Sequence, residues 1–329
     1  MPSPPKFLFP GGIYFVTTSV EDGLMFPPNA LIKEIVLKSL AQAQELHYVE
    51  VIDIIVQPTH IHLLIRILDP SDAADFMERF KTETAHAINR VCGRTKRTIW
   101  CEGYDSPFIP DLATAMDKIV YILTNPSNDN AVDRIEEFPG FNTFSFRAAM
   151  AKEGASLDDI ELLTHKISRS DFSKVTDHSA SGYRRYSQQL IRNKETSKFT
   201  ISPNALFRKF GITNRDEIQR LSGEILDRIR QKEQENRERR AELGHTVIGA
   251  QRLQSIKIGA HFIPHRTGRR MRVHCSDPRK RRTVFKAMRR LQRRSRAVLA
   301  RWRMGDFSVR YPIGMFPPTG IRLAEPIDW

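Results

Sequence analysis

The chain has 329 residues, of which 40% are hydrophobic and 27% charged, and it carries a formal net charge of +14. This length accommodates two compact domains, and no apolar run approaches the ~20 residues needed to cross a bilayer. Three cysteines (Cys92, Cys101 and Cys275) are too few and too scattered for a disulfide framework or a zinc knuckle, so a reducing, cytoplasmic setting is expected. The first residues lack the apolar stretch of a signal peptide.

The charge is unevenly placed. Residues 1–150 hold 13 Lys/Arg against 19 Asp/Glu, whereas residues 266–303 hold 16 Lys/Arg and one acid, Asp277. Solubility needs far less charge of a single sign, so this block is expected to meet a polyanion, either nucleic acid or an acidic membrane face.

In chain order, Ile13 to Thr18 is a strand signal after Gly11-Gly12. Pro27-Pro28-Asn29 opens a helix whose apolar positions run from Leu31 to Leu46. Tyr48 to Val56 is a strand, Gln57-Pro58-Thr59 a turn, and His60 to Ile67 the returning strand. Ser71 is placed to cap a second helix that ends at Gly93. A polar stretch leads through Thr98-Ile99-Trp100 to a strand at Phe108-Ile109, and a third helix spans Asp111 to Asn125, stopped by Pro126. The order β-α-β-β-α-β-α is a split βαβ pattern with one extra helix, so an α+β domain is expected, with an antiparallel sheet and helices on one face. Residues 151–200 show weak periodicity and read as a linker or irregular region. Residues 203–242 read as helical, and the charged run that ends them, Arg228 to Glu242, as a solvent-exposed helix or half of a coiled coil. An amphipathic, Arg-rich helix starts at Asp277-Pro278, and the tail from Phe307 is expected to form an extended strap.

Two features carry chemistry. In Pro58-Thr59-His60-Ile61-His62-Leu63-Leu64-Ile65, strand alternation puts His60 and His62 on one face and Ile61, Leu63, Ile65 and Ile67 on the other. Two imidazoles on one face make a pair of metal ligands, although two polar residues on the wet side of a sheet read the same way. In the third helix, at about 100° per residue, Leu112, Met116, Ile119, Val120 and Leu123 gather in one arc. Tyr121 falls about 140° from Met116, off that stripe, on a polar face with Thr114, Asp117 and Lys118, and Asn125 lies one turn on. A cation held by the histidines, with an amide oxygen from Asn125, polarises a phosphate, and a phenol attacks it. Imidazole with hard oxygen suits Mg²⁺ or Mn²⁺ better than a structural zinc.

These residues resemble the motifs of single-tyrosine transposases. Pro58 to Ile65 resembles their His-hydrophobe-His (HUH) motif, Ile99-Trp100-Cys101-Glu102-Gly103-Tyr104-Asp105 their Trp-containing strand, and Asp117 to Pro126 their nucleophile helix ending in Asn-Pro. The likeness is to the REP-associated tyrosine transposases of the IS200-like group and covers about residues 10–147. It implies a ferredoxin-like catalytic domain that cuts single-stranded DNA near hairpins, with Tyr121 forming a 5′-phosphotyrosine and His60, His62 and Asn125 holding the cation. This sequence departs from the pattern at Thr59, where the family often has Asn, and after Pro126, where Ser127 to Val132 replaces a Gly-Leu-Val-like stretch. Tyr104, in a loop-like context without a neighbouring amide, is the weaker candidate nucleophile.

The expected organisation is therefore a catalytic domain over 1–150, a linker over 151–200 and a helical, nucleic-acid-binding extension over 201–329. Expected DNA contacts are Lys81, Arg90 and Arg97 around the second helix, Trp100 stacking on a base, Lys118 beside Tyr121, and Arg282, Arg289 and Arg293 on the basic helix. The expected partner is single-stranded or hairpin DNA and not a membrane, and the expected location is cytoplasmic, at the nucleoid. The apolar stripe Met288, Leu291, Val298 and Trp302 also suits a homodimer. The alternative function is a DNA-binding regulator that no longer cuts.

Overall fold

The computed structural model describes residues 6–95, 98–261, 271–317 and 320–324. Its first strands are β1 (Gly12–Ser19), β2 (Val49–Val56), β3 (His60–Ile67) and β4 (Phe108–Ile109). They stand in the order β4-β1-β3-β2, each pair antiparallel, which is the split βαβ arrangement. Trp100 and Asp105, between the second helix and β4, make only isolated bridges to Val20 and Thr17.

Helix α1 (Ala30–Leu46) starts where the Asn29 side chain accepts from the Ile32 amide at 3.0 Å. Helix α2 (Pro70–Cys92) is capped by Asp69 rather than Ser71, because Pro70 occupies the first helical position and the Asp69 carboxylate reaches the Ser71 amide. Gly93 closes it at φ +67°, a conformation that costs other residues a Cβ clash. Helix α3 (Leu112–Asn128) runs through Pro126 instead of stopping before it. The proline removes one donor, but Ser127 Oγ donates to the Thr124 carbonyl and Arg240 Nη1 donates to the Ser127 carbonyl, so the last turn holds.

The sheet is covered on both faces rather than one. Val16, Ile61, Leu63, Ile65 and Ile67 pack against α1 and α2, while Ile13, Phe15 and Leu64 pack against α3. The sheet is also larger and mixed. Residues 151–200 are not a linker: they supply β5 (Ile160–His165) and α5 (Ala180–Ile191), followed by β6 (Thr196–Ile201), and β6 joins β2 in parallel at Val51–Ile201. The complete order is β4-β1-β3-β2-β6-β5. On these strands Glu161, Thr196 and Lys198 face outward, while Thr164 and Ser197 are buried and Leu163 is exposed, so polarity does not track burial there.

Between them, α4 (Phe144–Met150) places Arg147 against Asp53 of β2, with both side chains buried. After β6 come α6 (Ala205–Lys209), α7 (Arg215–Glu242) and α8 (Ala250–Gln254). Helix α7 packs Ile218, Leu221, Ile225 and Ile229 into the core that contains α3, so its apolar stripe is satisfied within the chain and not by a coiled-coil partner. The basic helix, α9 (Pro278–Arg303), starts as its spacing predicts, with Asp277 accepting from the Arg279 amide at 2.7 Å. It rests through Val284, Met288 and Leu291 on Phe7, Val273 and Cys275. The tail crosses Leu8, whose amide donates to the Gly314 carbonyl at 2.8 Å.

Candidate active site

Strand β3 begins at His60, so both histidines sit at the sheet's end, with His62 paired to Thr17 on β1 and Ile55 on β2. Their rings are 4.5 Å apart. Each Nδ1 meets a threonine hydroxyl: Thr59 Oγ1 lies 3.0 Å from His60 and Thr17 Oγ1 lies 2.9 Å from His62. When Nδ1–H donates to these oxygens, Nε2 of each ring carries the free lone pair. Thr59, the departure from the family pattern, thus does the orienting work of a hydrogen-bonding neighbour.

Helix α3 crosses this end of the sheet. Met116, Ile119, Ile122 and Leu123 are buried, while Tyr121 is 45% exposed with its ring 5.5 Å from that of His62. One turn later, the Asn125 side chain, 4% exposed, has its amide nitrogen 3.5 Å from His60 Nε2. A half-turn of the amide presents its oxygen there. His62 Nε2 is buried with no hydrogen-bond partner among the described residues.

Phe15 of β1 lies beneath the site. Its ring stacks on His62 at 5.0 Å and meets the Tyr121 ring edge-on at 5.8 Å. Lys118 reaches over both, with Nζ 5.3 Å from the Phe15 ring centre and 5.2 Å from that of Tyr121. Burial holds His60 neutral, with a pKa of about 4, and holds His62 well below its ordinary range, aided by His60 and Lys118. Burial also lowers Lys118 and raises the Tyr121 phenol, which the nearby Asp129 raises further. The site therefore offers two neutral imidazoles and a phenol that needs help to ionise.

Does a divalent cation suit these residues? Among the described residues no group of three or more His, Cys, Asp or Glu side chains is gathered for a metal. The donor set here is two imidazoles and one amide. An unpaired buried ring nitrogen beside a second lone pair is otherwise costly, and a cation relieves that cost, so the residues fit.

The other expected contacts divide. Lys118 belongs to the site. Trp100 does not stack on a base: it is 3% exposed and packed on Phe26 and Phe80, and its Nε1 donates to Thr84 Oγ1 at 2.9 Å. Lys81 gives its ammonium to the carbonyls of Cys101 and Gly103. Arg90 is exposed, but on α2, across the sheet from the histidines. Arg97 lies outside the described residues. Tyr104 packs on the α2 side of the sheet, away from the histidine pair. Arg282, Arg289 and Arg293 are exposed on α9.

Sequence reasoning missed His274. It lies in a segment without periodicity, yet its ring is 5.8 Å from that of Phe15. Burial and Lys118 hold its pKa near 4. The pairing of its backbone with β4 helps to bring it there.

Residues 28–116 match the family model described as IS200-like transposase. The match includes His60 and His62 and ends five residues before Tyr121. The chain is also similar to a solved REP-associated tyrosine transposase bound to a REP hairpin, at 18% identity, over 47% of this chain and 88% of that one, with a TM-score of 0.37. No curated protein matches it.

Proposed function

We propose that this transposase-like chain cuts and rejoins single-stranded, hairpin-associated DNA through Tyr121. The observation that carries this reading is the convergence of Tyr121 and Asn125 from one helix on His62 and His60 from one strand, at 5.5 Å between rings and 3.5 Å between nitrogens. His60, His62 and Asn125 are the side chains that would hold Mg²⁺ or Mn²⁺. When bound, such a cation supplies charge stabilisation to the phosphate under attack.

The chain's residues do the rest. Tyr121 Oη bonds to phosphorus, the P–O3′ bond breaks, the phenolic proton leaves and the 3′ oxygen gains one. The 5′ side stays on the tyrosine, so the bond energy is kept for rejoining. The Lys118 ammonium lies near enough to Tyr121 to favour the phenolate and the phosphate together. The exposed arginines of α9, among them Arg282, Arg289 and Arg293, supply phosphate contacts.

The test is incubation of the full chain with labelled hairpin oligonucleotides and Mn²⁺, read on a denaturing gel. Wild type should give a protein–DNA adduct, while EDTA and Tyr121→Phe should each abolish it. A denaturant-resistant adduct in Tyr121→Phe sinks the assignment.

A second reading is favoured by α9 alone. Of its twelve Lys/Arg side chains, Arg301 is the one with an ion pair among the described residues. A DNA-binding regulator needs only that helix. It predicts salt-sensitive DNA binding with no adduct under any of these conditions.

A further inference from the structure

The segment before α9 is fixed to the catalytic core by two elements at once. The Phe108 amide donates to the Arg272 carbonyl at 3.0 Å, and the His274 amide donates to the Phe108 carbonyl at 3.0 Å, adding the segment to the open edge of β4. Next to it, Cys275 Sγ donates to the Asp111 carboxylate at 3.3 Å, and Ser276 meets Thr114, both in the opening turn of the helix that carries Tyr121.

This stitching holds His274 where strand and helix meet. Its ring approaches Phe15 edge-on at 5.8 Å. The same Phe15 ring touches His62 and Tyr121, and Lys118 Nζ lies 5.3 Å from its centre. The His274 side chain is part-exposed, and neither ring nitrogen has a hydrogen-bond partner among the described residues. A lysine ammonium and an imidazole N–H, around one aromatic ring beside a phenol, form a receptor for a phosphodiester: two donors for its oxygens and a flat apolar floor for the sugar or base.

We propose that His274 is a substrate-contacting residue of the site, hydrogen-bonding, together with Lys118, the DNA phosphate presented to Tyr121, so that the C-terminal extension completes the catalytic centre. The inference rests on the reading of Tyr121 as nucleophile and adds a residue some 150 positions away in the chain. The role is binding and orientation, and no proton or bond is assigned to it.

The experiment uses full-length protein, Mn²⁺ and a pool of oligonucleotides randomised on either side of a fixed hairpin. The adduct rate is measured against DNA concentration for wild type, His274→Ala and His274→Gln, alongside thermal melting. Loss of a hydrogen bond to a charged group should slow His274→Ala by about ten-fold or more, with the melting midpoint unchanged. His274→Gln, which keeps a donor, should recover part of the rate. A wild-type rate in His274→Ala overturns the inference, and so does an equal loss in both variants that follows a fallen melting midpoint. The Tyr121→Phe control separates the two layers: failure of wild type to form an adduct, or an adduct from Tyr121→Phe, overturns the parent reading instead.

Discussion

His62 is the residue on which the site turns. Its Nδ1 is held by Thr17 and its Nε2 is buried and unpaired among the described residues, a state that costs free energy unless something binds there. Mn²⁺ should therefore raise the thermal midpoint of the wild-type chain, by about 2.7 kcal/mol of stability at a hundred times its dissociation constant. His62→Ala and Asn125→Ala should each remove most of that rise, and an undiminished Mn²⁺ shift in both would show that the cation binds elsewhere. The same burial makes the metal-free protein sensitive to acid. His60 and His274 titrate near pH 4 when folded, against an ordinary value of 6.5. Between those values the unfolded chain binds more protons, so this contribution to stability is complete above about pH 6.5 and is lost as pH falls towards 4. In EDTA, melting midpoints should drop from pH 7 to pH 5, and His274→Gln should flatten the drop. A midpoint that does not fall across that interval contradicts the burial of these rings.

At the scale of elements, the site depends on how β2, α4 and the β6–α6 turn are tied. Arg147 Nε donates to Asp53 at 2.9 Å and its Nη1 donates to the Pro203 carbonyl at 3.2 Å, while Thr143 Oγ1 donates to the other oxygen of Asp53 at 2.7 Å. Asp53 is fully buried, so removing the guanidinium strands a carboxylate without its counter-charge. Arg147→Ala should cost about 3–5 kcal/mol of unfolding free energy in a denaturant titration, and a loss below about 1 kcal/mol would mean that the carboxylate finds water or a proton cheaply. Helix α3 is held in a comparable way. Asn236 and Arg240 of α7 bond to Ser127, just past Pro126, and so support the turn that carries Asn125.

Across the whole molecule the charges separate by task. Helix α7 spends its arginines inside the chain: Arg228 pairs with Asp117, Arg230 with Glu136, and Arg237 and Arg240 with Asp133. The acidic excess of the first 150 residues is thus partly neutralised by the chain itself. Helix α9 leaves its charge outward. At about 100° per residue, Arg282, Arg289 and Arg293 fall within about 40° of one another, opposite the face that buries Met288. Changing all three to Gln should reduce the slope of log affinity for single-stranded DNA against log salt concentration by about 2. An unchanged slope would place the DNA path off this face.

The hydrophobic periods by themselves determined the split βαβ order, the pairing of His60 with His62 on one strand face and the displacement of Tyr121 from the core stripe of its helix. Each of these depends only on side-chain spacing along one element. Residues 151–200 were illegible for the converse reason: strands at a sheet margin alternate weakly, and their pairing with β2 is a long-range contact that no local window contains. Trp100 shows the limit in another form, since an aromatic that could stack on a base and one that fills a core have the same sequence signature. Only the tertiary structure decided that Trp100 is core, that Thr17 and Thr59 orient the two imidazoles, and that His274 stands beside Phe15, because each outcome depends on which elements meet and not on the residues within any one of them.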